Sequence, residues 1–560
     1  MKLLARYACA VALFAAALVY RFETGPVAAA QQQPAAPAGP AGAGGQAGPA
    51  GVAGAGGGPG RGRGGPTPGS LLWTAQCSGC HGNDSAGGRA PSLFNQQWAD
   101  STTDDKMLTV IKNGVPNTEM TGFASSLTDE QIFQLIQHIR TTTGAPLRPR
   151  AQFVEAPNGT VIKSAKQTVK VELVADGLMT PWAIAFLPDG RMLVTERDGR
   201  LQIMDKGKLT LITGTPKAHV QQDGGYLDVE VHPRYASNGW IYLAYSEDQP
   251  GYVAPPPPPA DPAAAPSTPP APGGAQGRGG RGGVPFVPSM TVVVRGKINK
   301  NNEWTDQQTI FHVENELYTT AGAHYGSRLL FDRENHLFFT MGERNGNNPN
   351  RAQDLTSPLG KVHRFNDDGT VPKDNPFVNT PGAVTSIWTY GHRNPEGLAW
   401  DPVTGNLWES EHGPNTADEV NVLVKGHNYG WNVVSKQGPP QFKASAPGMD
   451  DPVVYFMPTY APAGMSFYTG NRYPGWKNSS LFVGGLAGQA LRRMDVKGAT
   501  ITSQEIVFDQ FGRVRDIVQG PDGYFYIALQ NPTGVPNPAG GNISLSASTP
   551  GRIIRLVPAS

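Results

Sequence analysis

One pattern recurs six times in the C-terminal part of the chain: an apolar strand, a turn containing Gly, Asn or Asp, and a second apolar strand. The six copies lie at 183–194, 227–243, 328–339, 397–408, 465–483 and 514–526. Each copy leaves room for two more strands, and such units stack around a common axis because none buries its faces alone. We therefore expect an all-β six-bladed β-propeller over residues 165–560. The segment 551–558 would close the ring against 169–174, and a large β-sandwich is the alternative.

Glycine and proline are concentrated in two other segments. The chain has 70 Gly and 51 Pro, and most of the residues in 34–69 and 250–289 are Gly, Pro or Ala. Neither segment carries enough apolar surface to offset the entropy of ordering it. We expect a disordered tether at 31–69 and a low-complexity insertion at 250–289 within the propeller.

The N-terminus has the features of an export signal. Lys2 and Arg6 precede an apolar stretch from Tyr7 to Tyr20, and small residues at 28–30 suit cleavage. We expect a signal peptide at 1–30 and a periplasmic protein, or a membrane-anchored one if the signal is not cleaved. No later apolar run is long enough to cross a membrane. The formal net charge of +1 excludes a basic surface for nucleic acid.

A haem-attachment motif follows the tether. Cys77, Cys80 and His81 form C-x-x-C-H, the spacing that joins two thiols to a haem and places an imidazole at its iron. A redox C-x-x-C is the alternative. The remaining cysteine, Cys9, lies inside the signal, so the motif holds both cysteines of the mature chain.

A second axial ligand for the haem iron is expected from methionine. Met120 lies in a loop bounded by Gly and Pro, whereas its competitor Met107 lies in an amphipathic stretch and is expected in the core. Residues 127–140 are expected to form a helix with one apolar face. With these motifs, residues 70–148 resemble a class I cytochrome c, which implies a small all-α domain.

Ring geometry brings distant polar residues together. Residues just before the inner strand of each blade lie around the axis on one face of a propeller. At these positions the chain has Gln222, Asp223, His324, Arg393, Asn394, Arg513 and Arg515. Three arginines in one pocket require an anion, and guanidinium groups suit carboxylates. The pattern predicts a polycarboxylate ligand beside a histidine that can act as a base.

Five longer stretches carry a family resemblance. They are 324–329 (HYGSRL), 391–397 (GHRNPEG), 411–419 (EHGPNTADE), 426–431 (GHNYGW) and 512–516 (GRVRD). In these stretches, and in their order, the propeller region resembles the soluble glucose dehydrogenases and aldose sugar dehydrogenases that depend on pyrroloquinoline quinone (PQQ). This is the glucose/sorbosone dehydrogenase family.

The resemblance implies a set of roles. His324 would be the general base, with Asp223 at the substrate side. The residues implied to hold PQQ are Arg393, Asn394, Thr459, Arg513 and Arg515. The backbone carbonyls of Gly413 and Pro414 would bind a Ca²⁺ that polarises the quinone, and Asp418 and Glu419 would bind a second, structural Ca²⁺.

Four positions depart from the best-known members of the family. Ala323 stands where Asp often precedes the base, so the imidazole must be oriented by another residue. Asp223 and Glu396 each replace a Gln, and Ala487 stands where a Lys contacts PQQ. These departures concern sugar preference and cofactor affinity more than reaction type.

Together these features predict a periplasmic quinohaemoprotein. It would oxidise an aldose, or an aldehyde such as sorbosone, and pass electrons through haem c to a soluble cytochrome or the respiratory chain. A calcium-dependent propeller lactonase carrying a cytochrome is one alternative. A non-catalytic propeller binding module is the other, and neither needs a polycarboxylate clamp.

Overall fold

The computed structural model describes residues 68–81, 93, 104–115, 118, 120–147, 158–253, 287–344, 349–414, 417–435, 443, 445–456, 459–509, 511–530 and 551–559. The expected signal peptide, nearly all of the expected tether and most of the expected insertion lie outside these residues. Among the described helices, none is both long and apolar enough to cross a membrane.

The N-terminal region is helical. Its elements are α1 (Pro68–Leu72), a π-helical turn (Trp73–Cys77), α2 (Ser78–His81), α3 (Asp104–Asn113) and α4 (Asp129–Leu147). One core joins them, formed around Trp73, Met107, Ile132, Leu135 and Ile136. Met107 is 3% exposed, which confirms its expected place in the core.

Helix α4 begins at a capping box. The backbone N–H of Gln131 donates to Oγ1 of Thr128 (3.2 Å), and the backbone N–H of Thr128 donates to Oε1 of Gln131 (2.9 Å). The sequence predicts an end at Arg140, but the helix continues to Leu147. No helix-breaking residue lies between Arg140 and Gly144, so the helix can continue past Arg140, and in the structure it also includes Gly144 and Pro146.

The rest of the described chain is a six-bladed β-propeller, as expected. Its first strands are β1 (Val161–Lys163) and β2 (Thr168–Leu178). Blade 1 is β3 (Pro181–Phe186), β4 (Met192–Glu196), β5 (Arg200–Asp205) and β6 (Lys208–Leu211); blade 2 is β7 (Tyr226–Val231), β8 (Ile241–Asp248), β9 (Ser289–Ile298) and β10 (Trp304–Phe311), with α5 (Tyr235–Asn238) in its first turn. Blade 3 is β11 (Gly326–Phe331), β12 (Leu337–Met341), β13 (Lys361–Phe365) and β14 (Ile387–Tyr390), with 3₁₀ turns at Asn315–Leu317 before it and Pro349–Ala352 within it.

The remaining blades follow the same plan. Blade 4 is β15 (Pro395–Trp400), β16 (Leu407–Glu411), β17 (Asp418–Leu423) and β18 (Val454–Phe456); blade 5 is β19 (Pro462–Phe467), β20 (Ser480–Gly485), β21 (Leu491–Lys497) and β22 (Thr500–Phe508). Blade 6 combines β23 (Arg513–Gln519), β24 (Phe525–Gln530) and β25 (Gly551–Pro558) with β2 and β1. Strand β2 pairs antiparallel with β25, with Val171 opposite Leu556, which confirms the expected closure of the ring.

A buried charge network joins the inner strands. Nη1 of Arg328 lies 3.1 Å from Asp228 Oδ1 and 3.2 Å from Asp516 Oδ1, so one guanidinium links blades 2, 3 and 6. Nε of Arg328 donates to the carbonyl of Glu396 in blade 4, and Asp516 accepts the backbone N–H of Ile184 in blade 1. The network therefore connects blades 1, 2, 3, 4 and 6 through their first strands.

Candidate active site

Each blade offers two positions at the same end of the ring. The first two strands of a blade are antiparallel, so the start of the first strand lies beside the end of the second; Gly326 pairs with Met341 and Pro395 with Glu411. All six inner strands have a register shift near their first residues. Such bulges re-aim side chains, and here they lie where the predicted site residues converge.

His324 occupies a tightly fixed turn before β11. Its φ is 59°, in the left-handed region that few side chains tolerate. A Cβ on Gly342 would lie 2.0 Å from the carbonyl oxygen of His324, so only glycine fits there. The amide oxygen of Asn394 accepts the N–H of Gly326 (3.0 Å), which joins the turn to blade 4. The backbone around His324 is thus held by two neighbouring loops.

The imidazole of His324 is oriented by Glu343, which follows β12. Nδ1 of His324 lies 2.5 Å from Oε1 of Glu343, and both side chains are largely buried. Burial lowers the pKa of His324; the hydrogen bond that Glu343 accepts from the ring opposes this, and the charge of Arg393 adds to the lowering. The ring is therefore neutral at neutral pH, and a proton held at Nδ1 leaves Nε2 free to accept another.

Arg393 and Asn394 lie before β15. The backbone N–H of Arg393 donates to Glu411 (2.6 Å), Nη1 donates to the carbonyl of His412 (3.0 Å), and the guanidinium lies 5.2 Å from the ring centroid of Trp431. Nδ2 of Asn394 donates to Oε1 of Glu396 (2.9 Å) and lies 3.2 Å from Nδ1 of His412. These contacts fix both side chains next to the turn that holds His324.

Arg513 and Arg515 bring positive charge from blade 6. Arg515 forms an ion pair with Oε2 of Glu396. Burial would raise the pKa of Glu396, but the charges of Arg515 and His412 outweigh it and lower that pKa. Burial lowers the pKa of Arg513 to about 10, with further lowering by Arg515 and Arg197. Arg513 thus lies close enough to Arg515 and Arg197 to be repelled by their charges, and it remains cationic at neutral pH.

This donor set fits a polycarboxylate. The Nε atoms of Arg393, Arg513 and Arg515 are buried and have no hydrogen-bond partner among the described residues. Buried guanidinium donors without partners cost free energy unless an acceptor fills the site. Carboxylates are acceptors of the right charge and geometry, so these residues suit the three-carboxylate cofactor that the sequence implies.

Asp223 and Thr459 lie at the same end of the ring. Asp223 is exposed, and its Oδ1 lies 3.9 Å from Nη1 of Arg197. The backbone N–H of Asp223 donates to the carbonyl of Gly322, two residues before His324. Oγ1 of Thr459 donates to Oδ2 of Asp418 (2.8 Å). Asp223 is therefore open to solvent, whereas Thr459 supports the neighbouring loop.

Asp418 anchors the loop that contains Gly413 and Pro414. Its Oδ1 accepts the N–H of Gly413 (2.8 Å), and its Oδ2 accepts Thr459 and the backbone N–H groups of Tyr460 (2.6 Å) and Ala461 (2.7 Å). The carboxylate is 1% exposed and its two oxygens are occupied by protein donors. These contacts make Asp418 the anchor of this loop.

Glu419 belongs to a buried carboxylate cluster. Nδ2 of Asn421 lies 3.0 Å from Glu409, 3.5 Å from Glu411 and 3.4 Å from Glu419. Burial, together with the charge of Glu411, raises the pKa of Glu409 and of Glu419. His392 adds a ring nitrogen 3.3 Å from Glu411. Oxygen-rich surroundings of this kind are compatible with a hard cation.

The haem motif lies on one continuous helical segment. Cys77 ends the π-helical turn, and Cys80 and His81 lie in α2. Burial and the neighbouring Cys80 raise the pKa of Cys77 to about 11. Met120 packs on the same core as Cys77, so the proposed axial methionine and the attachment motif share one small domain.

Three residues of the site escaped the sequence analysis. Arg197, Glu343 and His412 each follow the second strand of a blade rather than precede the first. The sequence signal existed, because the end of the second strand lies beside the start of the first in every hairpin. Applying the repeat to both positions finds Arg197 and His412 directly after β4 and β16, and Glu343 one residue further on after β12.

Comparisons with known proteins agree with this architecture. Residues 178–535 match the Glucose / Sorbosone dehydrogenase family, and residues 65–139 match Cytochrome C oxidase, cbb3-type, subunit III. Aldose sugar dehydrogenase YliI of Escherichia coli is 36% identical over 383 residues, covering 66% of this chain and 92% of the relative. Quinoprotein glucose dehydrogenase B of Acinetobacter calcoaceticus is 26% identical over 479 residues, covering 70% and 92%.

Solved structures give the same result. The apo-form soluble aldose sugar dehydrogenase from Escherichia coli is 32% identical with a TM-score of 0.57, covering 70% of this chain and 100% of that one. The PQQ-bound aldose sugar dehydrogenase from Streptomyces coelicolor is 25% identical with a TM-score of 0.51, covering 72% and 99%. With its six blades and its matched residues, the chain belongs to the glucose/sorbosone dehydrogenase family and carries a cytochrome c domain ahead of the propeller.

Proposed function

We propose that this chain is a periplasmic PQQ-dependent dehydrogenase that oxidises an aldose, or an aldehyde such as sorbosone, and delivers the electrons to its own haem c. The observation that carries the proposal is the pairing of a neutral, oriented histidine with a cluster of buried guanidinium groups. A hydrolase needs no such clamp for carboxylates. The PQQ-bound state of the Streptomyces coelicolor relative supports the same choice of cofactor.

Residues of this chain would hold the cofactors as follows. Arg393, Arg513 and Arg515, with Asn394 and Thr459, would bind the carboxylates and carbonyls of PQQ, and the backbone carbonyls of Gly413 and Pro414 would bind Ca²⁺. Cys77 and Cys80 would attach haem c covalently, with His81 and Met120 at its iron. When bound, PQQ supplies the hydride acceptor, Ca²⁺ a Lewis acid, and haem a one-electron acceptor.

Oxidation of the sugar requires the protein to accept one proton. Nε2 of His324 would accept the proton of the anomeric hydroxyl as the hydride leaves C1 of the sugar, which yields the lactone. Glu343 would hold the proton at Nδ1 and stabilise the imidazolium that forms. Asp223, at the exposed edge of the site, would contact the sugar hydroxyls. Asp418 and Glu419 would bind a second Ca²⁺, with Glu419 supported by the neighbouring carboxylates of Glu409 and Glu411.

The cytochrome domain gives the site a built-in electron acceptor. Because both domains share one chain, the haem is present at a high effective concentration near the propeller. Electrons would then pass to a soluble cytochrome or to the respiratory chain. This arrangement accounts for the presence of both domains in one exported protein.

The test follows the haem absorbance. Protein that carries oxidised haem but no PQQ is mixed with PQQ, Ca²⁺ and a panel of aldoses. Reduction of the haem should require both the sugar and PQQ. A His324→Ala variant should bind PQQ, measured by fluorescence quenching, without reducing the haem. Absence of reduction across the panel, with hydrolysis of added lactones, would instead favour the lactonase.

A further inference from the structure

Arg197 occupies the position in blade 1 that His412 occupies in blade 4, because each is the residue after the pair that joins the start of the first strand to the end of the second. It directly follows β4, at the end of the ring where His324 and Arg393 lie. Its backbone N–H donates to the carbonyl of Thr180 (3.1 Å). A Cβ on Gly225 would lie 1.7 Å from the carbonyl oxygen of Arg197. The backbone of Arg197 is therefore fixed between blades 1 and 2.

The guanidinium of Arg197 is nearly buried but poorly paired. Its side chain is 12% exposed, and its only ion pair among the described residues is with Asp223, at 3.9 Å. Asp223 is itself 64% exposed, so this pair is weakened by solvent. No described residue accepts a hydrogen bond from the guanidinium. A charge in this position is available to an acidic ligand.

Arg197 of blade 1 also lies close enough to Arg513 and Arg515 of blade 6 for their charges to interact. Burial lowers its pKa to about 10, opposed by Asp223 and reinforced by the nearby charge of Arg515. Arg513 is affected by Arg197 in the same way. Since Glu396 already neutralises Arg515, the cations left for a ligand on this side of the site are Arg513 and Arg197.

We infer that Arg197 binds a carboxylate of the cofactor, together with Arg513, and so takes over part of the anchoring that Arg515 gives up to Glu396. The inference rests on the proposed function, since it assumes that the ligand is PQQ. Ala487 stands where a lysine would contribute positive charge, and Glu396 neutralises Arg515. Arg197 would replace part of that missing charge, so that the site can bind a ligand with three carboxylates.

The test measures binding to the apoprotein. Wild type, Arg197→Gln and Arg197→Lys are titrated with PQQ in the presence of Ca²⁺, with quenching of tryptophan fluorescence as the readout. R197Q should bind PQQ roughly 10- to 100-fold more weakly, as expected for loss of a charge-assisted hydrogen bond. R197K should recover part of the affinity, and the salt dependence of binding should be shallower in R197Q.

A matched control and a matched ligand separate binding from folding. Arg191→Gln removes a half-buried guanidinium, paired with Asp189, from the first turn of the same blade and should leave PQQ affinity unchanged. PQQ trimethyl ester lacks the carboxylate charges, so wild type and R197Q should bind it equally. Equal loss of both ligands in R197Q, or no loss of either, would overturn the inference. Failure of the wild type to bind PQQ at all would instead contradict the proposed function.

Discussion

Nδ1 of His324 lies 2.5 Å from Oε1 of Glu343, although the two residues come from different loops of blade 3. The pair occupies Nδ1 and leaves Nε2 for the proton transfer proposed above. It also supplies the orientation that the sequence leaves open when Ala323 replaces an aspartate. Glu343 acts through the histidine, so it is a positioning residue.

Changing Glu343 should alter the rate and its dependence on pH. Glu343→Ala removes both the acceptor and the charge and should lower kcat by roughly 100-fold or more, while Glu343→Gln keeps an acceptor and should lose less. In both variants the acid limb of kcat/KM should move to lower pH, because the group that raises the pKa of His324 is gone. Steady-state kinetics over pH check this. An unmoved acid limb would contradict the positioning role.

Glu396 should weaken the cofactor site at neutral pH. It is ionised and paired with Arg515, so Glu396→Gln returns that guanidinium to the ligand. We expect PQQ to bind roughly tenfold more tightly to E396Q, measured by calorimetry of the apoprotein. Weaker binding would mean that Glu396 serves the ligand directly.

The two methionines of the cytochrome domain should behave differently. Met120→Ala should keep covalent haem, since Cys77 and Cys80 are unchanged, but should lower its reduction potential because the thioether ligand is lost. Met107→Ala should leave the potential unchanged and cost about 2–5 kcal/mol of stability as a buried cavity. Redox titration and thermal unfolding separate the two. The reverse result would make Met107 the ligand.

Removing Arg328 should destabilise the propeller. Arg328→Met leaves Asp228 and Asp516 buried without their counter-charge, and breaking a buried pair in this way costs about 3–5 kcal/mol. Urea unfolding followed by tryptophan fluorescence measures the loss. The exposed Arg234 provides the control, since Arg234→Met should cost little. A loss below about 1 kcal/mol for R328M would show that the network carries little stability.

The buried imidazole of His363 should make stability depend on pH. Burial, opposed by its hydrogen bond to Pro358 and reinforced by Lys361, lowers the pKa of His363 to about 3. Between that value and the unfolded value near 6.5, the unfolded chain binds the extra proton, so stability falls as the pH falls.

The size of this effect can be measured. The His363 contribution between pH 7 and pH 5 is about 2 kcal/mol. His363→Phe should reduce the difference in unfolding free energy between these two pH values by that amount, whatever its absolute cost. His427→Asn, at an exposed position, should leave the difference unchanged. An unaltered difference in H363F would assign the acid sensitivity to other groups.

The propeller can be predicted from the sequence because the same strand–turn–strand pattern occurs six times. Six hairpins give the blade number, and the apolar stretch at 551–558 gives the closing strand. The same repeat places His324 and Arg393 at one end of the ring. The cytochrome domain follows from a motif in which spacing alone fixes the chemistry.

What the sequence does not reveal depends on burial and on contacts between loops. In the sequence, nothing distinguishes Asp418 from the other acidic residues near it. Only the fold shows that its two carboxylate oxygens accept four hydrogen bonds from the protein. Glu343 lies 19 residues from His324, across a hairpin whose two ends meet only after folding. The ion pair of Glu396 with Arg515 spans two blades and has no local signal.

The pairing of β2 with β25 has a consequence for how the molecule is made. Strand β2 is made near the start of the propeller domain and β25 near its end, so the seam of the ring can form only after residues 551–558 have been synthesised. A chain cut before residue 551 would leave β2 with an open edge, a template for aggregation.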